Sequence, residues 1–419
     1  MNQKIKQIFQ FHRSTLNSYQ TKSIQKFVKK FNLNINFTPH FVIGGTNGKG
    51  SLCKILSSIY KKSSYKIGLF VSPHLHSYNE RIQVNHKNIS DKEFINIYQE
   101  LSPSLKKAGK ENIHLSFFEL ILIISLIHFK NKKVDLMIYE VGLGGKRDAT
   151  QILNPIFSTI TNVSLDHTHI LGDTIQKIAI EKSGNIFENS SFLYPKKDKL
   201  STFFESICNI KKSRFYATKR LISSNIHNKN GFKGFFSWEN KNHPFSCNLK
   251  GENQSENLNN ALNIIQLNQK KFPVKVNDIQ SSLIDINHEC RLEIISQSPL
   301  IFVDGSHNIE GILYLKKWLE NHFSDYEIYI SIAFKNNKNS TQSIQELKKI
   351  AIVSSYTPKF KGFLKKNDFL ENILHFNNYK TIYDSYFKIS KKKKILLFTG
   401  SLKSAIIQKR YFKKYIKQQ

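Results

Sequence analysis

Acidic residues are scarce in this 419-residue chain: 31 Asp and Glu stand against 63 Lys and Arg, for a formal net charge of +32. A surplus of this size is typical of proteins that bind nucleic acid, anionic membranes or acidic substrates. The lysines, however, are spread along the whole length, with only short runs such as Lys391–Lys394. A nucleic-acid-binding face needs clustered basic residues with interleaved aromatics. We therefore interpret the charge as compositional and expect no nucleic-acid partner.

Cysteine is also sparse, and the four that are present lie far apart: Cys53, Cys208, Cys247 and Cys290. Without a CxxC pair, this spacing indicates neither a disulfide framework nor a zinc site, and it suits a reducing compartment. Long apolar runs are missing as well, since the most apolar stretch, Leu120–Phe129, is too short to cross a bilayer and is predicted to be a buried helix. The N-terminus is polar and lacks a signal-peptide core. We expect a cytoplasmic protein with no membrane partner.

Short apolar runs alternate with segments of helical periodicity. Strands are predicted at His40–Ile43, Ile67–Val71, Val134–Val141, Ile156–Thr161, Leu300–Val303, Tyr326–Phe334, Ile350–Tyr356 and Ile395–Thr399. Alternation of this kind predicts an α/β fold with a mostly parallel sheet covered on both faces. The polar, aromatic segment 211–250 is predicted to be a small β-rich insertion. At this length we expect two domains, residues 1–288 and a smaller Rossmann-like α/β domain, residues 289–419.

A glycine-rich loop separates the first predicted strand from a predicted helix: Gly45, Thr46, Asn47, Gly48, Lys49, Gly50 and Ser51. Such a loop places backbone N–H groups and a helix N-terminus around phosphate oxygens. Lys49 would reach the outer phosphates and Ser51 could bind Mg²⁺. The standard GxxxxGK[ST] pattern is not met, because Ile43 replaces its first glycine and Gly50 separates the lysine from the hydroxyl. A glycine turn without a ligand is the alternative interpretation.

The loop resembles the ATP loop of the folylpolyglutamate synthases, members of the Mur ligase superfamily. Further blocks resemble that family in the same order: Ser72–Leu75, Asn79–Ile82, Ser116–Glu119, Glu140–Gly145, Asp148–Thr150, Ser164–Thr168, Leu171–Gly172, Glu181–Gly184 and Asp304–Asn308. Together they run from about residue 44 to residue 308, and the last hundred residues match mainly in architecture. The resemblance implies an ATP-binding, Mur-ligase-like first domain and a C-terminal glutamate-ligase domain.

The resemblance also implies metal ligands. Ser51 and Glu140 would hold one Mg²⁺, and His167 would hold a second, with Lys182 carbamoylated beside it. Lys49, Lys182 and His167 would be the catalytic residues. From the residues alone, Glu140 could equally be a solvated glutamate at a strand end, His167 a structural histidine and Lys182 a surface lysine.

On the nucleotide, the resemblance assigns contacts to Asn257, Arg291, Asp304 and His307. ATP held by both domains would explain a closure step that excludes water. On the pterin side it assigns Ser116, Phe117, Phe118, Glu119 and Lys146. The aromatic residues could stack on a flat pterin, and the acidic residue could hydrogen-bond to it. Alternatively, Phe117 and Phe118 could simply belong to the core.

Some blocks depart from the family pattern. The domain joint, usually Pro-Gly-Arg, is Glu289-Cys290-Arg291 here, and Lys146 stands where an arginine is usual, so that Arg147 could take over the substrate contact. A segment that is usually Asp-Lys-Asp is replaced by 337–339, and the N-terminal pterin loop around residues 19–23 is unclear.

The sequence therefore predicts an ATP-dependent ligase that adds L-glutamate to dihydropteroate and to tetrahydrofolate through an acyl phosphate, in folate biosynthesis. Its partners would be these small molecules, and we expect a monomer. A monofunctional folylpolyglutamate synthase, or another Mur-type amide ligase, is the alternative within the same enzyme class. A basic nucleic-acid-binding nucleotide switch is the alternative from another class.

Overall fold

The computed structural model describes residues 3, 5, 7, 8, 21–195, 198–335, 340–358, 363–365, 368, 373–376, 378–387 and 393–416. Two compact units divide the chain. One consists of Met1–Ser223, Phe236–His243 and Asn257–Leu283, and the other of Ser224–Phe235, Pro244–Glu256 and Ile284–Gln419. The proposed domain boundary between residues 288 and 289 stays a prediction. The departure at residues 337–339 and part of the unclear loop at 19–23 lie outside the described residues.

A large sheet forms the centre of the first unit. Its strands are β1 (His40–Gly44), β2 (Ile67–Phe70), β3 (Ile82–Val84), β4 (Lys87–Asn88), β5 (Leu136–Glu140), β6 (Phe157–Ile160), β7 (Ser191–Tyr194) and β8 (Arg214–Ala217). They lie in the order β4-β3-β2-β5-β1-β6-β7-β8. Strands β2, β5, β1, β6, β7 and β8 pair in parallel, while β3 and β4 add an antiparallel edge. The carboxyl ends of the central strands therefore meet at one edge of the sheet.

The helices between these strands are α1 (Lys22–Lys30), α2 (Lys49–Lys62), α3 (Asp91–Lys110), α4 (Phe117–Lys132), α5 (Thr168–Leu171), α6 (Ile175–Lys182) and α7 (Lys199–Ile210). Strands β1 and β5 are buried at all five positions, as expected for parallel strands covered on both faces. Helix α4 is apolar nearly all round and is also buried, which confirms the prediction for Leu120–Phe129. Its start is fixed by a capping box in which Ser116 and Glu119 hydrogen-bond each other's backbone N–H groups.

The segment 211–250 is only partly the separate insertion that its composition predicts. Its first strand, β8, joins the edge of the large sheet. The remainder forms a three-stranded sheet of β9 (Ile222–Asn228), β10 (Gly231–Trp238) and β11 (Lys241–Cys247) in the order β11-β10-β9. Helices α8 (Asn253–Asn268) and α9 (Val276–Asp285) follow. Strand β8 is only partly buried, as expected for a strand at a sheet edge.

A six-stranded sheet forms the centre of the second unit. Its elements are β12 (Glu293–Gln297), β13 (Leu300–Val303), α10 (Ile309–Phe323), β14 (Glu327–Ile332), α11 (Ser340–Lys348), β15 (Ile352–Tyr356), β16 (Leu374–Phe376), α12 (Tyr379–Phe387), β17 (Lys394–Thr399) and α13 (Leu402–Ile416). The strand order is β12-β13-β17-β14-β15-β16. All neighbours are parallel except β12, which pairs antiparallel with β13. The predicted strands are confirmed, although β14 is shorter than predicted, and β12 and β16 were not predicted.

Within the described residues, no helix combines the length and the apolarity that a membrane crossing requires.

Candidate active site

The glycine loop lies at the carboxyl edge of the large sheet, between β1 and α2. Gly45 and Gly48 have φ angles of 138° and 84°, in the region that side chains disfavour. A Cβ at Gly45 would stand 1.8 Å from the Thr161 hydroxyl oxygen, so only glycine fits there. Helix α2 begins at Lys49, and the amides of its first turn therefore have no acceptor within the helix. This arrangement is that of a phosphate cradle.

Two residues at the end of β6 hold the loop in place. Asn162 accepts hydrogen bonds through its side-chain oxygen from the N–H of Thr46 at 3.1 Å and of Asn47 at 2.8 Å. The Thr161 hydroxyl donates to the carbonyl of Asn47 at 2.6 Å. Sequence reasoning missed both supporting residues. The signal that could have found them is a pair of small polar residues directly after a buried strand next to β1.

Two lysines converge on the carbonyl oxygen of Gly45. Lys49 Nζ donates to it at 3.0 Å and to the Thr46 carbonyl at 3.1 Å. Lys182 Nζ, at the end of α6, donates to the same oxygen at 2.7 Å. The structure thus brings together two of the three residues that the resemblance assigns to catalysis. The interpretation of Lys182 as a surface lysine is wrong, because only 2% of this residue is exposed.

Burial, and to a smaller extent the nearby charge of Lys49, lower the pKa of Lys182 to about 7. The carboxylates of Asp166 and Glu181 act in the opposite direction. Near neutral pH this amine is therefore divided between its charged and neutral forms. A neutral amine beside a phosphate loop can act as a nucleophile, which a surface lysine cannot do at the same pH. Asp166, which sequence reasoning named only as part of a motif, belongs to this group.

Glu140 ends β5, directly beside the strand that leads into the loop, since it is in register with Ile43 of β1. It is 5% exposed, so it is not the solvated glutamate of the alternative interpretation. The Ser72 N–H donates to its Oε2 at 2.9 Å. Burial raises the pKa of the Cys53 thiol on α2, and the charge of Glu140 raises it further. The carboxylate therefore acts on the first turns of α2, where Ser51 also lies, buried.

His167 has a left-handed backbone conformation with φ of 48°, and 43% of its side chain is exposed. Its N–H donates to Asp166 Oδ1 at 2.8 Å, and its ring Nε2 lies 3.9 Å from that oxygen. Across the part of the chain that the structure describes, no three His, Cys, Asp or Glu side chains form a ready metal cluster. The assignments of Ser51, Glu140 and His167 to metal stay predictions.

The residues predicted to face a pterin have structural partners. Glu119 is buried, and its carboxylate accepts hydrogen bonds from the N–H of Ser116 at 2.7 Å and of Ile24 at 3.2 Å. It thus caps α4 and ties α1 to it. The rings of Phe117 and Phe118 are partly buried against the core. The Arg81 guanidinium lies over the Phe117 ring, 5.2 Å from its centroid. Their contacts with a pterin stay predictions.

The loop between β5 and the turn at Ala149 packs against the end of α6. The N–H of Lys146 donates to the Glu181 carbonyl at 2.8 Å, while the Lys146 side chain is exposed. Arg147 forms an ion pair with Glu181 at 3.3 Å. Arg147 therefore helps to hold α6, although its side chain, like that of Lys146, is exposed. The substrate contact of Lys146 stays a prediction.

Asn257 lies beside the phosphate loop, because a Cβ at Gly48 would stand 2.6 Å from its side-chain oxygen. The other residues assigned to the nucleotide belong to the second unit. Asp304 follows β13, is 4% exposed, and accepts the N–H groups of Leu292 at 3.0 Å and Ser306 at 2.8 Å. The Arg291 guanidinium packs against Gly305, since its Nη1 lies 3.2 Å from the Cβ position there.

His307 completes this second group, its Nδ1 lying 3.0 Å from the Gly305 carbonyl. Arg291, Asp304 and His307 therefore lie at one edge of the six-stranded sheet, where open α/β sheets bind their ligands.

Residues 43–265 match the Mur ligase middle domain. A dihydrofolate synthase/folylpolyglutamate synthase of Buchnera aphidicola subsp. Schizaphis graminum is 31% identical over 400 residues, which cover 92% of this chain and 90% of the relative. The chain belongs to the Mur ligase family. Within it, this Mur ligase groups with the dihydrofolate synthase/folylpolyglutamate synthases, and it is an ATP-dependent ligase.

Solved structures agree in fold with this Mur ligase. Folylpolyglutamate synthase of Mycobacterium tuberculosis, solved with ADP and AMPPCP, has a TM-score of 0.87 at 19% identity, over 98% of this chain and 97% of that chain. That of Thermotoga maritima has a TM-score of 0.78 at 25% identity, over 94% of each chain. The predicted α/β fold class is confirmed.

Proposed function

We propose that this ligase joins the amino group of L-glutamate to the carboxylate of dihydropteroate, and of tetrahydrofolate, at the expense of ATP. The observation that carries the proposal is the convergence of Lys49 and Lys182 on the Gly45 carbonyl, within a glycine loop that has the geometry of a phosphate cradle. The names of the relatives, which describe both synthase activities, support the two acceptor substrates. The setting is folate biosynthesis in the cytoplasm, by a monomer.

Amide formation requires the acceptor carboxylate to become an electrophile. A carboxylate oxygen attacks the terminal phosphorus of ATP, ADP leaves, and an acyl phosphate is formed. The glutamate amine then attacks the acyl carbon, and inorganic phosphate leaves. Catalysis of such steps depends on positioning and on neutralising phosphoryl charge. The first-turn amides of α2 would hold the phosphates, and Lys49 would exchange its backbone carbonyl partners for phosphate oxygens.

The donor set beside the loop fits Mg²⁺. The Ser51 hydroxyl and the buried Glu140 carboxylate are hard oxygen donors, the type this ion prefers. These two would hold one ion, and His167, together with a carbamoylated Lys182, would hold a second. Bound there, Mg²⁺ would neutralise phosphate charge. Asn257 of the first unit, and Arg291, Asp304 and His307 of the second, are the proposed nucleotide contacts.

We also propose that Lys182 is carbamoylated. Burial lowers its pKa to about 7, so a neutral amine is available at cytoplasmic pH. The amine nitrogen attacks CO₂, an N–C bond forms, and one amine proton leaves to water. The product is a carbamate whose negative charge lies near the ammonium of Lys49. It replaces the buried positive charge of Lys182, which is costly beside a second cation. With ¹³C-bicarbonate, the protein should show a carbamate carbon resonance, and a Lys182→Met variant should lack it.

On the acceptor side, Phe117, Phe118 and Lys146 are proposed to contact the pterin-bearing substrate. Phe117 and Phe118 are partly exposed aromatic rings, and Lys146 is an exposed cation that suits a carboxylate. Ser116 and Glu119 would contribute by fixing the start of α4, which positions both rings.

A substrate panel tests the proposal. Purified protein with Mg²⁺, ATP and glutamate should release phosphate with dihydropteroate or tetrahydrofolate, and not when any one component is omitted. Turnover with tetrahydrofolate alone would leave a monofunctional folylpolyglutamate synthase. Turnover only with a cell-wall precursor and its amino acid would move the chain to another branch of the family. No turnover with either pterin substrate would contradict the proposal.

A further inference from the structure

One ion-pair cluster in the second unit has no part in the chemistry described above. Lys409, in the middle of α13, places its ammonium 2.5 Å from Glu289 Oε1 and 2.6 Å from Glu293 Oε1. The three side chains are 14%, 34% and 18% exposed, respectively. Exposed pairs contribute little, but partly desolvated pairs with short contacts are costly to break, because they leave a charge unpaired.

The two glutamates flank the segment that carries Arg291. Cys290 and Leu292, on either side of that arginine, both have left-handed backbones, with φ of 55° and 46°. Neither residue is a glycine, so each left-handed conformation costs about 1 kcal/mol or more. Such a conformation persists only when the surrounding structure fixes it. This turn therefore needs an external constraint.

The constraint comes from carboxylates. Glu293 uses its second oxygen to accept the Cys290 N–H at 2.9 Å, and Asp304 accepts the Leu292 N–H at 3.0 Å. Asp304 itself is fixed by the turn that follows β13. The strained turn is thus held on one side by the nucleotide-side aspartate and on the other by Glu293. Lys409 in turn holds Glu293 and Glu289.

Other charges act on this cluster. Lys250 interacts electrostatically with Glu293, and Asp304 with the thiol of Cys290. Burial, and to a smaller extent the charges of the two glutamates, raise the pKa of Cys290 to about 12, so the thiol stays neutral. Burial alone would lower the pKa of Lys409, but its hydrogen bonds to Glu289 and Glu293 reverse the effect and raise it. Lys409 is therefore a permanent cation between two anions.

We propose that Lys409 is a positioning residue for the nucleotide: by binding Glu289 and Glu293 together, it fixes the left-handed turn that presents Arg291. The proposal rests on the proposed role of Arg291 in holding ATP. It predicts that Lys409, more than a hundred residues along the chain from Arg291, controls affinity for ATP through its ion pairs and leaves the chemical step unchanged.

The test compares Lys409→Met with Lys409→Arg and with Lys414→Met, an exposed lysine on the same helix. Lys409→Met should raise the KM for ATP by about tenfold, equivalent to about 1.4 kcal/mol of lost binding, with kcat within about twofold. The KM for glutamate should not change. Lys409→Arg, which keeps the charge, should recover most of the affinity, and Lys414→Met should match the wild type.

A charge exchange separates positioning from simple loss of stability. The Lys409→Glu variant should bind ADP more weakly than the wild type, and adding Glu289→Lys should restore much of that affinity. If Lys409→Met lowers the melting temperature while the KM for ATP and the ADP affinity stay at wild-type values, the positioning role is overturned. If wild-type protein binds ADP but does not turn over, the proposed function fails, and the ADP affinities still decide the role of Lys409.

Discussion

The ammonium of Lys182 lies 2.7 Å from the carbonyl oxygen of Gly45, so the end of α6 closes onto the first residue of the phosphate loop from 137 positions further along the chain. This contact places a buried amine of lowered pKa beside Lys49. It joins the loop to the block around Asp166 and Glu181.

Stability should rise with pH because of Lys182. Its pKa is lowered from 10.5 to about 7 in the folded protein, so between these values the unfolded chain binds more protons than the folded one. The free energy of unfolding should therefore increase with pH in this window, by up to about 1.4 kcal/mol per pH unit. Below pH 7 the amine is protonated in both the folded and the unfolded states. The folded protein then bears the full free-energy cost of burying the charged lysine.

Urea denaturation of the uncarbamoylated protein, in CO₂-free buffer between pH 6 and pH 9.5, measures this contribution as the difference between wild type and Lys182→Met, in which the dependence should be lost. The matched control is Lys177→Met on the same helix, whose side chain is 62% exposed. Its stability curve should run parallel to that of the wild type. A Lys182→Met curve that also runs parallel would contradict the lowered pKa.

Gly48 should tolerate no side chain. Its φ of 84° and the Asn257 oxygen, 2.6 Å from a Cβ, together predict that Gly48→Ala displaces the loop. A displacement of about 1 Å at a phosphate site can cost about 100-fold in rate. We expect a loss of that size in kcat/KM for ATP. Gly109→Ala is the control, because a Cβ there meets nothing closer than 3.6 Å. That change should keep full activity.

Whether a structural feature could be predicted from the sequence depends on whether its contacts are local or long-range. The strand–loop–helix around Gly45–Ser51 could be predicted, because apolar periodicity and the loop glycines are local signals. Burial of Lys182 could not, because its partner Gly45 is 137 residues away and nothing nearby in the sequence shows that α6 packs on the loop. Likewise, the sequence indicates a substrate-binding role for Glu119. Its hydrogen bond with the Ile24 N–H could not be predicted, because Ile24 is 95 residues away. Local sequence patterns therefore predict the helices and strands. The roles of polar residues such as Lys182 and Glu119 depend on hydrogen bonds to residues far away in the sequence, which local patterns do not show.

Glu119 should matter for stability more than for substrate affinity. Its carboxylate accepts N–H groups from two helices, and removing it leaves buried donors unsatisfied. Glu119→Ala should lower the free energy of unfolding by about 2–3 kcal/mol, measured by urea denaturation. Glu119→Gln, which keeps one acceptor oxygen, should lose less. A large rise in the KM for tetrahydrofolate with unchanged stability would instead identify Glu119 as a substrate ligand.

Removal of divalent metal should stop phosphate release, and added Mg²⁺ should restore it. Glu140→Gln should raise the Mg²⁺ concentration needed for half-maximal rate by about tenfold or more, because an amide oxygen is a weaker ligand than a carboxylate. Glu188→Gln, an exposed glutamate, is the control and should not change it. An unchanged magnesium requirement in Glu140→Gln would remove this residue from the metal site.

We propose that the loop from Gly45 to Ser51 holds the ATP that drives glutamate addition. The most direct measurement is ATP-dependent phosphate release with glutamate and, in parallel, dihydropteroate or tetrahydrofolate, for wild type, Lys49→Ala and Lys61→Ala. Lys61 lies exposed on the same helix and serves as the control. The account predicts turnover by wild type and Lys61→Ala, and a loss of at least about 100-fold in Lys49→Ala. Wild-type turnover retained in folded Lys49→Ala would contradict it.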